Sequence, residues 1–399
     1  MSTLTMPTRR FGRTELSMPV FSCGGMRYQH KWGDAVPDEI PADAQANLEA
    51  TIQRALEVGI NHIETARGYG SSEMQLGFLL PKLPREKMII QTKVGPSEDP
   101  KIFLETFEKS MNYLQLDYVD LLSFHGINNA ETLQWALKLL DGVRKLQRDG
   151  RVRFIGFSTH GSCAEITAAI ETGEFDYLNL HWYFVNDLNW RAIEAAKKND
   201  MGVFIISPSD KGGLLYNPPQ KMVELCAPLS PMQFNDLYCL QRPEVHTLSI
   251  GAAKPTDFDD HLGALKYYDD IPNTIAPIEK RVRAEMESTL GADWCAHWFK
   301  NIPDHYEMPE GLNVMEILRL WTYAKSLDLV EWGKMRYNLL GNAGHWFPGQ
   351  HVGKMDDAAW RDLGIKLQAH PLAARIPEVL RDAHSMLLAE EVKRQSESK

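Results

Sequence analysis

Gly59-Ile60-Asn61-His62-Ile63-Glu64-Thr65-Ala66-Arg67-Gly68-Tyr69-Gly70-Ser71-Ser72-Glu73-Met74-Gln75-Leu76-Gly77 is the stretch on which the fold turns. Residues 42–58 before it carry apolar positions at helical spacing, and Gly59 is a stop signal. Residues 60–64 read as a short strand that runs into a polar, glycine-bracketed loop carrying Glu64, Arg67 and Tyr69. A second helix is expected from Ser72. A strand whose C-terminal end releases ionisable groups into a loop is where an α/β barrel keeps its chemistry.

The same alternation continues on both sides. Strands are expected at residues 19–24, 61–64, 88–93, 118–124, 153–158, 176–180, 203–207 and 245–250. Helices are expected at 42–58, from 72, and at 101–114, 131–149, 163–172, 189–199 and 257–267. Eight strands alternating with helices argue for an α/β fold closed into a (β/α)8 TIM barrel. An open doubly wound sheet would show Gly-x-Gly-x-x-Gly after its first strand. Here that strand ends in Cys23-Gly24-Gly25-Met26, without the spacing.

Beyond about residue 273 the strand signal stops, and helical stretches follow at 281–290, 314–340, 356–368 and 378–395. Two domains are therefore expected, a barrel over 1–275 and a helical extension over 276–399. The extension holds an internal repeat. Pro309-Glu-Gly-Leu-Asn-Val-Met-Glu-Ile-Leu-Arg319 matches Pro371-Leu-Ala-Ala-Arg-Ile-Pro-Glu-Val-Leu-Arg381 at Pro, the β-branched residue, Glu, Leu and Arg, 62 residues later (309 to 371).

Glu64, Lys93 and His125 sit at the ends of successive expected strands, 29 and 32 residues apart (64 to 93, 93 to 125). Each interval is close to one strand-plus-helix unit, about 30 residues, so the three converge on one mouth of the barrel. Tyr69 leans over the same mouth. A phenol with a pKa near 10 is a poor acid at neutral pH; a nearby ammonium favours phenolate, and a carboxylate holds that ammonium in place. The group suits protonation of a carbonyl oxygen as hydride reaches its carbon, and the reverse.

Glu-Thr-Ala-Arg-Gly-Tyr-Gly, Gln-Thr-Lys-Val and Leu-Leu-Ser-Phe-His-Gly, in this order and spacing, resemble the signatures of the aldo-keto reductase family. The resemblance implies NAD(P)H-dependent reduction of aldehydes or ketones to alcohols. Tyr69 would be the general acid/base, with Lys93 and His125 tuning and orienting it and Glu64 paired with Lys93. The family usually has aspartate where this chain has Glu64. A nicotinamide site is also implied, with Ser158 and Asn179 at the carboxamide and Ser207, Pro208, Ser209, Lys211, Gly212 and Leu214 along the pyrophosphate. Gly251, Lys254, Asp260 and His261 fall at the adenosine-phosphate end, with Lys254 toward a 2′-phosphate and the last two toward adenine. Asp257 stands where many members place an arginine, and its carboxylate would repel a 2′-phosphate. NADPH is the expected cofactor, with NADH as the alternative. Met26, Tyr28, Trp32, His181, Trp182 and Tyr183 would line a substrate pocket of apolar or aromatic character.

The repeat resembles the C-terminal extension of one subgroup of that family, which carries two ferredoxin-like cysteine runs. The corresponding positions here are Phe299, Ile302, His305 and Met308, then Trp360, Leu363, Lys366 and His370. A cluster needs about four thiolates, so no iron–sulfur cluster is expected.

Composition narrows the function classes. The 399 residues are 44% hydrophobic, enough for one large domain and a smaller one. A net charge of −10 without a block of like charges disfavours nucleic acid and anionic membrane as partners. No apolar run approaches the roughly 18–20 residues that span a bilayer, and no apolar stretch follows Arg9 and Arg10 as in a secretory signal. The five cysteines form no Cys-x-x-Cys pair, which fits a reducing cytoplasm. His160 and His181 are isolated in the sequence, and no metal-ligand set is visible. A small-molecule carbonyl is the expected partner, and the oligomeric state stays open. The rival class is a nucleotide-binding redox sensor or regulatory subunit, with Glu64 marking weakened catalysis.

Overall fold

All the expected strands are present, with ends moved by one or two residues, and they pair in parallel. After an N-terminal hairpin of β1 (Thr8–Arg10) and β2 (Ser17–Pro19), the barrel strands are β3 (Phe21–Gly24), β4 (His62–Glu64), β5 (Ile89–Val94), β6 (Val119–His125), β7 (Val152–Ser158), β8 (Tyr177–Leu180), β9 (Gly202–Ile205) and β10 (Thr247–Ile250). They close in the order β10-β3-β4-β5-β6-β7-β8-β9. Strands covered on both faces need near-continuous apolar runs, which Ile89-Ile90 and Val203-Phe204-Ile205 supply.

The computed structural model describes residues 5–389, in which the chain divides into two compact units. The first runs to Ser209 and resumes over Asn235–Ile271; the second takes Asp210–Phe234 and the residues from Pro272 on. The segment 210–234 thus groups with the helical unit, whereas the sequence reading ran it with the barrel.

The hairpin was not legible in the sequence, because each of its strands is three residues long. Its register pairs Arg9 with Met18 and places Phe11 and Met18 among Ile89, Leu121, Tyr177, Phe204 and Ile206. These side chains make an apolar floor at one end of the barrel. The helices Gln220–Cys226 and Pro231–Leu240 were also missed. The second is buried along nearly its whole length, so no amphipathic stripe betrays it.

In the second unit the expected 314–340 helix is two, Val314–Leu327 and Val330–Tyr337, parted at Asp328 in the left-handed region at φ 58°. The repeat is structural. Val314–Leu327 and Ile376–Leu387 each begin five residues after their repeat proline (Pro309, Pro371). Ile317 and Leu318 are buried as are their counterparts Val379 and Leu380, and the two helices pack together. Trp321 Nε1 donates to Asp382 Oδ2 at 2.7 Å, and Trp294 Nε1 to Thr322 Oγ1 at 2.9 Å. Of the positions where the cysteine runs would lie, Met308, Leu363 and His370 are buried, and His370 Nδ1 accepts from Leu372 N at 2.9 Å. Residues 390–395 of the last expected helix lie outside the described residues. Among the described residues no helix is long and apolar enough to cross a membrane, and no group of three or more His, Cys, Asp or Glu could hold a metal ion.

Candidate active site

At the C-terminal ends of the strands the barrel interior changes from apolar to ionisable. Glu64 ends β4 and Lys93 is the penultimate residue of the neighbouring β5, and the two residues are 3% and 0% exposed. Lys93 Nζ pairs with Glu64 Oε1 and donates to the Thr65 carbonyl at 2.9 Å. Burial pulls the ammonium's pKa down, and the touching carboxylate opposes that shift.

Across from Glu64 on β3 stands Gly24, where a Cβ would overlap Ser249 Oγ and come into ordinary contact, 3.4 Å, with Glu64 Oε2. The pair with Lys93 forms with an acid one methylene longer than aspartate.

Tyr69 reaches the same group from the loop. Lys93 Nζ lies 4.5 Å from its ring centroid, and the ring meets His125 edge-on at 5.5 Å between centroids. The four residues that the sequence nominated are therefore brought together. One expectation changes sign: burial pushes the Tyr69 phenol above its usual range, where the sequence reading had the lysine lowering it. The ammonium sits over the ring face, 4.5 Å from its centroid. Tyr69 is held as the protonated phenol at neutral pH.

The loop continues the strand ladder before it turns. Thr65 N donates to Gln91 O at 2.8 Å and Arg67 N to Lys93 O at 2.9 Å; Tyr69 N then closes a turn on Ala66 O at 3.0 Å. Gly70 follows at φ 53°, and a Cβ there would overlap the Lys31 carbonyl oxygen. No other residue fits that crossing.

His125, Ser158 and Asn179 are register partners across β6, β7 and β8. Ser158 Oγ accepts from Gly126 N at 3.2 Å. Asn179 is fully buried, and neither its amide oxygen nor its amide nitrogen has a partner. Such an orphaned amide inside a barrel is costly unless a ligand completes it. Ser209 is likewise buried with its hydroxyl unpartnered. Ser207 is in the left-handed region at φ 53°, and Pro208 accepts from Asn235 Nδ2 at 3.2 Å. Lys211, Gly212 and Leu214 belong to the second unit, where Trp332 Nε1 donates to the Lys211 carbonyl at 2.9 Å.

Around β10, Gly251 is half-buried while Lys254 and Asp260 are exposed. His261 is not available to a ligand as expected. It is fully buried, with Nδ1 2.6 Å from Asp236 Oδ2. Its partner lies on the Pro231–Leu240 helix, an element absent from the sequence reading, and that hidden partner explains the error. Asp257 also behaves differently from expectation. Its Oδ2 accepts from Ala253 N at 2.8 Å and pairs with Arg27 Nη1 at 3.3 Å, while Arg27 donates to Gly251 O at 2.5 Å. Arg27 neutralises the carboxylate that was expected to repel a phosphate, and only its position in space reveals this.

Of the substrate candidates, Met26 is half-buried, Tyr28 buried and Trp32 41% exposed. His181 is 3.2 Å from both His160 Nδ1 and the Ile206 carbonyl, and 3.3 Å from the Tyr183 hydroxyl. The two histidines that looked isolated in sequence are neighbours. Trp182 departs from the pocket: it stacks on Tyr238 at 5.2 Å and packs against Trp190 at 5.3 Å, in an aromatic core behind the strand. Both residues lie just past the end of β8, where the sequence pattern does not fix which way a side chain turns.

Comparison with known proteins bears on this site. The sequence model of the aldo/keto reductase family matches residues 21–227. L-galactose dehydrogenase of Arabidopsis thaliana is 30% identical over 159 residues, 38% of this chain and 47% of that protein. NADH-specific methylglyoxal reductase of Escherichia coli (strain K12) is 26% identical over 188 residues, 41% and 56% of the two chains. The chain spans about half the length of the curated relatives it matches. Among solved structures, the holo form of an aldo-keto reductase from Bacillus halodurans superposes with a TM-score of 0.58 at 20% identity, covering 69% of this chain and 96% of that one. An aldo-keto reductase from Klebsiella pneumoniae in complex with NADPH gives 0.53 at 18% identity, covering 66% and 90%. These two likenesses concern the fold alone, a closed eight-stranded parallel barrel. With more than half its length matched by the family model, this chain belongs to the aldo/keto reductase family.

Proposed function

We propose that the protein is a nicotinamide-dependent oxidoreductase that reduces a small aldehyde or ketone to an alcohol, with Tyr69 as general acid/base. The observation that carries the reading is the cluster of Tyr69, Lys93, Glu64 and His125 at the strand ends, with Lys93 both ion-paired and over the Tyr69 ring. Beside it the unpartnered Asn179 amide offers a donating NH2 and an accepting oxygen, which is what a nicotinamide carboxamide needs. Ser158 stands next to it in register, and Ser209 adds an unpartnered hydroxyl; these residues fit the cofactor. When bound, the reduced nicotinamide supplies the hydride.

The chain's own residues handle the proton. Tyr69, kept as the phenol by burial, donates to the carbonyl oxygen as its carbon accepts hydride. Lys93 stabilises the phenolate left behind, Glu64 fixes Lys93, and His125 orients the carbonyl by a hydrogen bond. In the reverse direction the phenolate takes the alcohol proton. Among relatives, one is described as NADH-specific and one structure as a complex with NADPH. We assign NADPH, because Arg27 neutralises Asp257 beside the exposed Lys254. The same reading takes residues 276–399 as a helical, cluster-less ferredoxin-like extension, supported by the repeat.

The test is a fluorescence titration with NADPH and NADH, then single-turnover reduction of 4-nitrobenzaldehyde. Tyr69→Phe should bind nucleotide as the unaltered protein does and turn over about 10²–10⁴-fold more slowly. Nucleotide binding without turnover in either protein refutes the reductase, and failure to bind either nucleotide refutes the cofactor site.

A further inference from the structure

Arg67 has a built environment that the proton chemistry does not use. It lies between Glu64 and Tyr69, with its side chain only 11% exposed. Nη1 pairs with Glu73 Oε2, and Nη2 pairs with Asp34 Oδ1 and donates to Gly70 O at 3.2 Å. The guanidinium lies over the Tyr113 ring at 4.6 Å. Each anchor leads elsewhere. Glu73 is fully buried, and its Oε1 accepts from Thr92 Oγ1 at 2.5 Å, beside Lys93. Asp34 belongs to the 25–41 loop and also pairs with Lys109 of the helix Pro100–Leu114. Lys109 and Arg67 together hold the Asp34 carboxyl below its usual range.

The backbones cross at the same place. Ser71 N donates to Lys31 O at 3.0 Å, and His30 N donates to Ser71 Oγ at 3.0 Å and to Gln75 Oε1 at 2.8 Å. The 25–41 loop carries Met26, Tyr28 and Trp32, so the loop expected to meet substrate lies across the loop that presents Tyr69.

We propose that Arg67 is a positioning residue that couples these two loops: its Glu73 side sets Tyr69 against Lys93, and its Asp34 side fastens the substrate loop over it. The proposal rests on the reductase reading, and it separates two parameters. Cutting the Asp34 arm loosens the substrate loop and leaves Tyr69 in place. Removing the guanidinium releases Tyr69 and leaves Lys109 as the ion-pair partner of the substrate loop.

The experiment uses the full chain with Asp34→Asn, Arg67→Met with Glu73→Gln, and the triple combination. Glu73→Gln accompanies Arg67→Met because an unpaired buried carboxylate would threaten folding by itself. Arg67→Lys is the second variant, since an ammonium reaches one carboxylate and not both. Thermal melting and NADPH titration check that each variant is folded with its nucleotide site intact. Asp34→Asn should raise KM for 4-nitrobenzaldehyde about fivefold with kcat within about twofold. Arg67→Met/Glu73→Gln should lower kcat on the order of 10–100-fold. The combination should have the kcat of Arg67→Met/Glu73→Gln, since Asp34 acts on Tyr69 only through Arg67. Arg67→Lys should keep more kcat than Arg67→Met/Glu73→Gln while its KM rises like that of Asp34→Asn. Additive effects on kcat, or an unchanged kcat on losing the guanidinium, overturn the proposal. Amide hydrogen exchange gives a readout independent of turnover: peptides over 28–34 should exchange faster in Asp34→Asn, and those over 65–71 only when Arg67 is replaced. Should the unaltered protein reduce no carbonyl, the function fails while the exchange pattern still decides the coupling. Equal exchange in all variants overturns it.

Discussion

The two ends of one barrel are built from opposite materials. At the floor, Phe11, Met18, Ile89, Leu121, Tyr177 and Phe204 pack together, and the polar atom among them, the Tyr177 hydroxyl, is 2.9 Å from Ser123 Oγ. At the mouth, two to four residues further along those strands and at the end of β4, stand Glu64, Lys93, His125 and the orphaned amide of Asn179. Between them runs a polar layer in which Ser22 Oγ is 2.7 Å from both His62 Nδ1 and Thr247 Oγ1. The floor contributes stability by removing apolar surface from water. The mouth holds desolvated charge that is tolerable only because it is paired. Stability and chemistry are thus separated along the barrel axis.

Damage at the two ends should therefore have different signatures. Phe11→Ala should lower unfolding free energy by about 3–5 kcal/mol with kcat nearly unchanged. Lys93→Met should cost a similar amount, about 3–5 kcal/mol, because it strands the Glu64 carboxylate, and should abolish turnover as well. Urea unfolding followed by turnover at native concentrations measures both. Equal loss of activity in the two variants would erase the distinction.

A smaller effect is expected beside the acid. Gly24→Ala would overlap Ser249 Oγ and press on the Ile250 carbonyl and should destabilise by about 1–3 kcal/mol. Adding Ser249→Gly to Gly24→Ala should recover part of that loss, and a double-mutant cycle showing no coupling would mean that the overlap with Ser249 is not the cause.

The smallest effect is a pH slope from the middle layer. Burial holds His62 neutral, with its pKa lowered to about 3. Between about pH 6.5 and 3 the unfolded chain binds a proton that the folded chain refuses, so this contribution is fully present above 6.5 and is lost as pH falls. The slope is at most about 1.4 kcal/mol per pH unit. His62→Gln keeps a hydrogen-bonding side chain beside Ser22 and should flatten the acid limb of the stability curve. An unchanged limb would show that other groups set it.

Much of this was legible in the chain. The strands announced themselves because both faces are buried, and their C-terminal residues announced themselves because an ionisable residue after an apolar run needs a reason. Elements without such a signature escaped. The three-residue strands of the hairpin carry too little pattern, and the Pro231–Leu240 helix is buried on too many sides to show a stripe. That omission misplaced His261, whose partner Asp236 lies on the missing helix. Trp182 was misplaced because aromatic residues near a strand end belong to either face.

By itself the sequence determined the eight-stranded order, the helical repeat and the residue types at each strand end, since these follow from short-range periodicity and spacing. Tertiary structure alone decided the environment of each group. Whether Asp257 repels a phosphate depends on Arg27, 230 residues away along the chain; whether Glu64 can replace an aspartate depends on its reach to Lys93 on the neighbouring strand. The ionisation of Tyr69 depends on how deeply its loop is covered. Burial and charge pairing are properties of distances in space, and linear spacing does not encode them.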